Sequence, residues 1–390
     1  LGADAFASGE MLETMQLCVS CKGCRRECPT GVDMAKMKIE VLAAANARRG
    51  LSLRDRLIAY LPRYAPYAAR LAGVMNARDA IPGAAWLSAR VMGLSARRPL
   101  PKWSAHPFHL PHPHPSPRLR GEGTREVALL ADTFNRYFDP ETLYAAVEVL
   151  SRLGYRIAEL SAPEGGRPLC CGRTFLSAGL VDEARAEARR LLAAAMPLIR
   201  RGVPIVGLEP SCLLTLRDEL GSMLPGAETE LVASRALLFE ELLAGESASA
   251  RLPASVAERE GTVLLHGHCH QKAFGAMEAV CSTLALVKGL CVETVESSCC
   301  GMAGAFGYAA ETYHVSMAMG EVALLPAVRQ APAEAIIAAD GFSCRHQIEH
   351  GAGRRARHVA QILREAMRGT TGVMPLANGA TAETDSRSVD

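Results

Sequence analysis

The chain has 390 residues, 49% apolar and 22% charged, with a formal net charge of +2. That length allows two or three domains with cores of their own, and the near-neutral charge offers no electrostatic footprint for nucleic acid. No apolar run is long enough for a membrane-spanning helix, and the opening "LGADAFASGEMLETMQ" lacks the basic start and apolar centre of a signal peptide.

The chain does not begin with Met, and the simplest expectation is a piece of a longer polypeptide. Thirteen cysteines in such a chain are expected to be ligands or redox groups in a reducing, cytoplasmic setting rather than disulfides.

Residues 1–97 read as helical. Within them "LCVSCKGCRRECPTGVDMAK" carries Cys18, Cys21, Cys24 and Cys28-Pro29, the spacing Cys-x2-Cys-x2-Cys-x3-Cys-Pro. Two-residue gaps let one tight loop present three thiolates to three corners of a cubane, whereas zinc sites usually use two separated pairs. The expectation is a [4Fe–4S] cluster in a ferredoxin-type domain. Cys28 either closes this cluster or serves a second one whose other ligands lie before Leu1.

Asp33 is placed to cap a helix that Gly50 ends, and further helical runs are expected near 52–61, 65–76 and 83–95. Residues 51–103 hold nine Lys/Arg against two Asp. This basic face reads as a solvated helical surface, or as one that meets an anionic membrane or a partner.

Residues 98–124 have seven prolines between 99 and 117 and are expected to be an extended linker. His106, His109, His112 and His114 alternate with these prolines without a scaffold, so a metal site there is not expected.

From 125 onward strand-like and helix-like runs alternate, which implies parallel sheets covered on both faces. The pattern occurs twice. "VALLADT" at 127–133 matches "VLLHGHC" at 263–269, "LCCGRTFLSAG" at 169–179 matches "SCCGMAGAFG" at 298–307, and "EPSC" at 209–212 matches "GFSC" at 341–344. The expected organisation is a multi-domain α/β protein. A helical [4Fe–4S] domain (1–97) and the linker (98–124) lead into two repeated parallel α/β lobes, 125–250 and 251–368. A disordered tail (369–390) follows.

Each lobe places its cysteines where a strand has just ended, the side of a parallel sheet where ligands gather. The glycine after each Cys pair permits a tight loop. The second lobe offers Cys269, Cys299, Cys300 and Cys344 as metal or cluster ligands, with His268 and His270 beside the first. The first lobe offers Cys170, Cys171 and Cys212, with Thr133 in the place of Cys269 and Glu209 as a further oxygen donor. Buried, inert Cys-Cys loops are the alternative. Cys281 and Cys291 lie outside the repeated positions and read as small hydrophobes.

These blocks, with "VGLEPSCLLTLRDEL", "HGHCHQKA" and "GFSCRHQI", resemble the C-terminal half of large FAD-linked D-2-hydroxyacid dehydrogenases. Those proteins join a flavin domain to a ferredoxin module and paired cysteine-rich (CCG) domains. The glycolate oxidase iron–sulfur subunit and the heterodisulfide reductase B subunit share the CCG architecture.

The resemblance implies an electron-transfer module. An upstream flavin domain or subunit would hold FAD and the 2-hydroxyacid site, and electrons would pass through the cluster toward the CCG region and a quinone or redox protein. No residue of this chain would then touch the hydroxyacid. Glu209 and Gly341 stand where the CCG pattern has the first Cys of a Cys-x-x-Cys pair, which leaves a second cluster or zinc open at the second lobe. A thiol–disulfide reductase and a metal-bearing scaffold are the alternative functions.

Overall fold

The computed structural model describes residues 7–111, 125–252 and 255–370. Among them no helix is long and apolar enough to cross a membrane.

The N-terminal part is helical throughout. Asp33 caps helix Met34–Arg49 as expected, its Oδ1 accepting from the amides of Ala35 at 3.0 Å and Lys36 at 3.2 Å. Gly50, at φ 73°, ends it. Beyond Leu53–Ala59, the expected 65–76 helix is broken into Leu61–Ala68, a 3-10 turn at Ala69–Leu71, and Ala72–Met75. Pro66 lies inside the first piece and glycine inside the last, so a single long helix is disfavoured. Helix Ala84–Met92 follows.

Composition misleads in the segment read as a linker. Arg98, Trp103 and Phe108 are all buried. Trp103 packs on Phe138 with ring centres 4.4 Å apart, and Phe108 on Tyr144 at 4.9 Å. Proline forbids helix here but does not prevent an extended chain from seating its aromatic side chains. Residues 112–124, with His112 and His114, lie outside the described residues, as does 371–390 of the expected tail. Helix Val359–Thr370 runs into the start of that tail.

Two four-stranded parallel sheets carry the rest. The first contains β1 (Arg125–Leu130), β2 (Tyr155–Glu159), β3 (Ile205–Gly207) and β4 (Ala236–Leu238), in the order β2-β1-β3-β4. The second contains β5 (Ala257–Leu265), β6 (Val287–Thr294), β7 (Ile336–Ala338) and β8 (Ala356–Arg357), in the order β6-β5-β7-β8. Identical orders are the structural form of the sequence repeat.

The packing between the sheets is reciprocal. Helix Pro140–Arg152, after β1, packs on Val359–Thr370, after β8, and helix Phe239–Ala248, after β4, packs on Met277–Ala285, after β5. This exchange is what a pseudo-two-fold axis produces. Leu143, Val149 and Leu243 of one unit and Leu284, Ile362 and Leu363 of the other share one core, each fully buried, and each such side chain contributes about 2 kcal/mol.

Candidate metal centres

The N-terminal cysteine run forms a loop followed by the short helix Gly23–Glu27. Ser20 (φ 51°) and Lys22 (φ 61°) adopt left-handed backbone on either side of Cys21. Non-glycine residues take that conformation at a cost, and such strain gathers at functional sites. The loop is held from three sides. His270 Nε2 lies 3.1 Å from the Ser20 carbonyl oxygen, Lys38 Nζ donates to the Cys18 carbonyl at 2.6 Å, and Cys24 Sγ accepts from the Met34 amide at 3.3 Å.

Lys22 is 1% exposed and pairs with Asp218, with Glu219 at 2.8 Å and with Asp33 at 3.4 Å. Arg25 and Lys36 also reach Asp218, both at 2.9 Å. The motif loop is thereby clamped to the first α/β unit through charge. Desolvation raises the Cys21 thiol, its Gly23 amide contact opposes this, and the nearby thiols of Cys269, Cys18 and Cys24 add to the rise. Cys28 lies at the outer edge, where Thr30 Oγ1 at 3.1 Å lowers its thiol.

The second unit brings its four cysteines together at the carboxyl ends of three adjacent strands. Cys269 opens helix Cys269–Ala273 after β5, Cys299 and Cys300 follow β6, and Cys344 lies in the first turn of helix Phe342–Ala352 after β7. Gly301, at φ 87°, makes the turn after the Cys pair; a Cβ there would come within 2.2 Å of the Ser316 carbonyl oxygen.

The thiols stand in series, Cys269 beside Cys299, Cys299 beside Cys300 and Cys300 beside Cys344. Cys269 is raised well above the ordinary thiol range by its Cys299 neighbour and by burial. Protonated thiols of this kind become thiolates when a metal displaces the protons.

A fifth donor was missed by the sequence reading. His266, at the end of β5, is 1% exposed, and its Nε2 has no hydrogen-bond partner among the described residues. Its Nδ1 is 2.9 Å from Ser297 Oγ, the kind of outer contact that orients a ligating imidazole. One ligand atom each of His266, Cys300 and Cys344 lies within 4.8 Å of the others. His266 aligns with Leu130 of the first unit, so the repeat itself held the signal. By contrast, His268 caps its own helix, Nδ1 accepting from the His270 amide at 3.1 Å.

The first unit keeps Cys170, Cys171 and Cys212 together. Their thiols stand in series, Cys170 beside Cys171 and Cys171 beside Cys212. Cys171 lowers Cys212, but burial together with the nearby Asp132, Glu209 and Cys170 outweighs it and the thiol is pushed up to about 11. Thr133 contributes no thiol, and Glu209 is committed elsewhere: Oε1 binds Ser211 Oγ at 2.8 Å, and Oε2 accepts from the Phe342 amide of the other unit at 2.8 Å.

A separate buried trio, Glu240, Asp340 and His358, also brings its ligand atoms within 4.8 Å. There His358 Nε2 is 3.0 Å from the Leu208 carbonyl oxygen and Nδ1 accepts from Ala360 N at 3.0 Å, so both nitrogens are taken. Burial, then Asp340, raises Glu240 well above the usual carboxylate range.

The chain is similar to several known proteins over most of its length. D-2-hydroxyglutarate dehydrogenase of Pseudomonas putida is 28% identical over 371 residues, 91% of this chain but 34% of that protein. The chain is similar to D-2-hydroxyglutarate dehydrogenase. It thus spans about a third of the length of such curated relatives.

The C subunit of the anaerobic glycerol-3-phosphate dehydrogenase of Escherichia coli is 24% identical over 322 residues, 81% of this chain and 78% of that protein. Lactate utilization protein A of Bacillus velezensis is 27% identical over 250 residues, 61% of the chain and 98% of that protein. Similar sequence therefore occurs within long chains and as 78% and 98% of these two shorter ones. No family model matches the chain. The resemblance drawn from the motifs is borne out by these relatives.

Proposed function

We propose that this chain is the iron–sulfur electron-transfer module of a flavin-linked 2-hydroxyacid dehydrogenase. The observation that carries the reading is the seating of the Cys18–Cys28 loop on the second unit, where His270 meets the Ser20 carbonyl and Cys21 and Cys269 pack against the same buried cluster. A [4Fe–4S] cluster on Cys18, Cys21, Cys24 and Cys28 supplies one-electron transfer at a potential set by its surroundings. The chain's own residues fix the loop: the Lys22–Asp218–Glu219 clamp and the His270 contact hold it beside the second thiol set. In the complete protein an upstream part would hold FAD, which would accept the two electrons and two protons that a 2-hydroxyacid loses on becoming a 2-oxoacid, and this module would pass electrons to the acceptor.

A quinone at a membrane surface is the acceptor that the helical face suits. Helices 61–92 turn alanines inward (Ala65, Ala68, Ala69, Ala72) and leave Tyr67, Leu71, Val74, Trp86, Leu87 and Val91 between 56% and 72% exposed. Arg56, Arg70 and Arg90 are exposed beside them without an acidic partner among the described residues. Large apolar side chains outward with flanking arginines is the pattern of an interfacial helical surface.

The test is anaerobic preparation of the complete protein. Iron and acid-labile sulfide in the chain, with 2-hydroxyacid-dependent reduction of a dye, are expected; no iron, or iron without turnover of any 2-hydroxyacid, refutes the reading. Sedimentation with anionic vesicles, lost in Leu71→Ser/Trp86→Ser, checks the surface.

A metal-bearing scaffold is a second reading, favoured by the mixed His266/Cys300/Cys344 donors, which suit zinc. Zinc without iron at the second unit would select it. A thiol–disulfide reductase is the weaker reading, because a disulfide substrate would have to reach Cys299 and Cys300, and both are buried.

A further inference from the structure

Arg98 is the largest fully buried side chain among the described residues, 1% exposed. Its Nη1 donates to Gln347 Oε1 at 2.5 Å and meets Met302 Sδ at 3.0 Å. Its Nη2 reaches Met317 Sδ at 3.1 Å and Ser316 Oγ at 3.4 Å, and the guanidinium lies 5.2 Å from the Tyr313 ring centre. Nε has no partner. Every one of these groups is neutral, and no carboxylate pairs with Arg98 among the described residues.

Lys22 shows what the fold does elsewhere with a cation buried to the same degree: it supplies three carboxylates. A buried guanidinium with no anion is strongly disfavoured, so a negative charge is required at Arg98 that the apo side chains do not provide.

The surroundings of Arg98 indicate where that charge belongs. Met302 follows Cys300 by two residues, and Gln347 follows Cys344 by three, on the same helix. Arg98 therefore sits behind the loop and the helix that present three of the second unit's thiols, and it is within electrostatic reach of Cys300. More than two thiolates on a divalent cation, or four on a cubane, leave a net negative charge. We propose that Arg98 is the counter-cation of an anionic metal–thiolate centre formed by Cys269, Cys299, Cys300 and Cys344. Arg98 is a positioning residue on this account: it acts through charge on the thiolates and binds no metal itself. The inference rests on the metal reading of that site.

Full-length protein carrying Arg98→Met or Arg98→Lys would be challenged with graded chelator while bound metal is counted, and Cys344→Ser would give the share of metal owed to this site. Arg98→Met is expected to weaken metal retention about 10–100-fold, and Arg98→Lys, which keeps the charge, to retain more than Arg98→Met. Metal-free Arg98→Met should unfold at no lower temperature than metal-free wild type, because an unpaired buried charge has been removed. Equal metal loss in the Met and Lys variants, or unchanged retention in Arg98→Met with a less stable apo form, would reduce Arg98 to a structural latch and overturn the proposal. If Cys344→Ser holds as much metal as wild type, the metal reading itself fails and the proposal falls with it.

Discussion

The two α/β units share strand order, crossovers and a Cys-Cys-Gly loop, yet they prepare different chemistry at equivalent places. Leu130, Thr133 and Glu209 in the first unit correspond to His266, Cys269 and Gly341 in the second. In the first unit Asp132 occupies the place of His268 and caps the helix after β1, with Oδ1 2.9 Å from Phe134 N and Oδ2 2.7 Å from Asn135 Nδ2. In the second, the larger His268 needs space that only a glycine at 341 leaves: a Cβ there would sit 2.3 Å from His268 Cδ2 and 3.1 Å from Cys344 Sγ. The same scaffold thus carries three thiols on one side and four thiols with an added imidazole on the other, and the difference turns on a few side chains at strand ends.

The sharpest way to break this comparison is to remove one thiol from each unit. Cys344→Ser is expected to abolish metal binding at the second unit, whereas Cys212→Ser should leave the metal content of the purified protein unchanged, both read by elemental analysis. Equal losses would mean that the units are equivalent centres.

Exchanging the residue at the contested position should cost stability next. Gly341→Glu forces a side chain onto His268 and is expected to destabilise by about 2–4 kcal/mol in denaturant unfolding. Glu209→Gly removes a carboxylate that serves helix starts in both units and should cost about 1–2 kcal/mol.

The first unit's core also predicts a pH dependence. Burial, with Glu209 adding, pushes Asp132 up to about 6 from 3.8. The folded chain then binds this proton more tightly than the unfolded chain. Its contribution is fully present below pH 3.8 and is lost as pH rises through 6, an effect of up to about 3 kcal/mol. Asp132→Asn, which keeps the capping oxygen, should flatten that part of the stability profile; an unaltered slope would assign it to other groups.

The smallest effect sharpens the comparison by gain. Thr133→Cys restores the missing fourth thiol to the first unit and is expected to let it take up one additional metal ion per chain, weakly, since His266 has only Leu130 as its counterpart. No added metal would show that the imidazole matters more than the thiol count.

Much of this was legible in one dimension. Alternating strand and helix runs, the 127–133 and 263–269 match, and Gly301 after Cys300 follow from local periodicity and from backbone freedom, which neighbouring residues alone can signal. Cys299, Cys300 and Cys344 of the second unit were readable for the same reason, because the repeat marked them twice, whereas Cys269 has only Thr133 as its counterpart. His266 was passed over in favour of His268 and His270, since a triplet "HGHCH" does not say which imidazole a helix cap will consume.

Local order along the chain determined the strands, the thiol-bearing loops and the helix that Asp33 opens. Only the tertiary structure decided that Arg98, from a proline-rich stretch, is buried behind Cys300, that Lys22 meets Asp218 across 196 positions, and that Glu209 caps a helix of the opposite unit. The division has a physical cause. Propensity and spacing act within a few residues, whereas burial and charge pairing depend on which distant surfaces the packed core brings into contact.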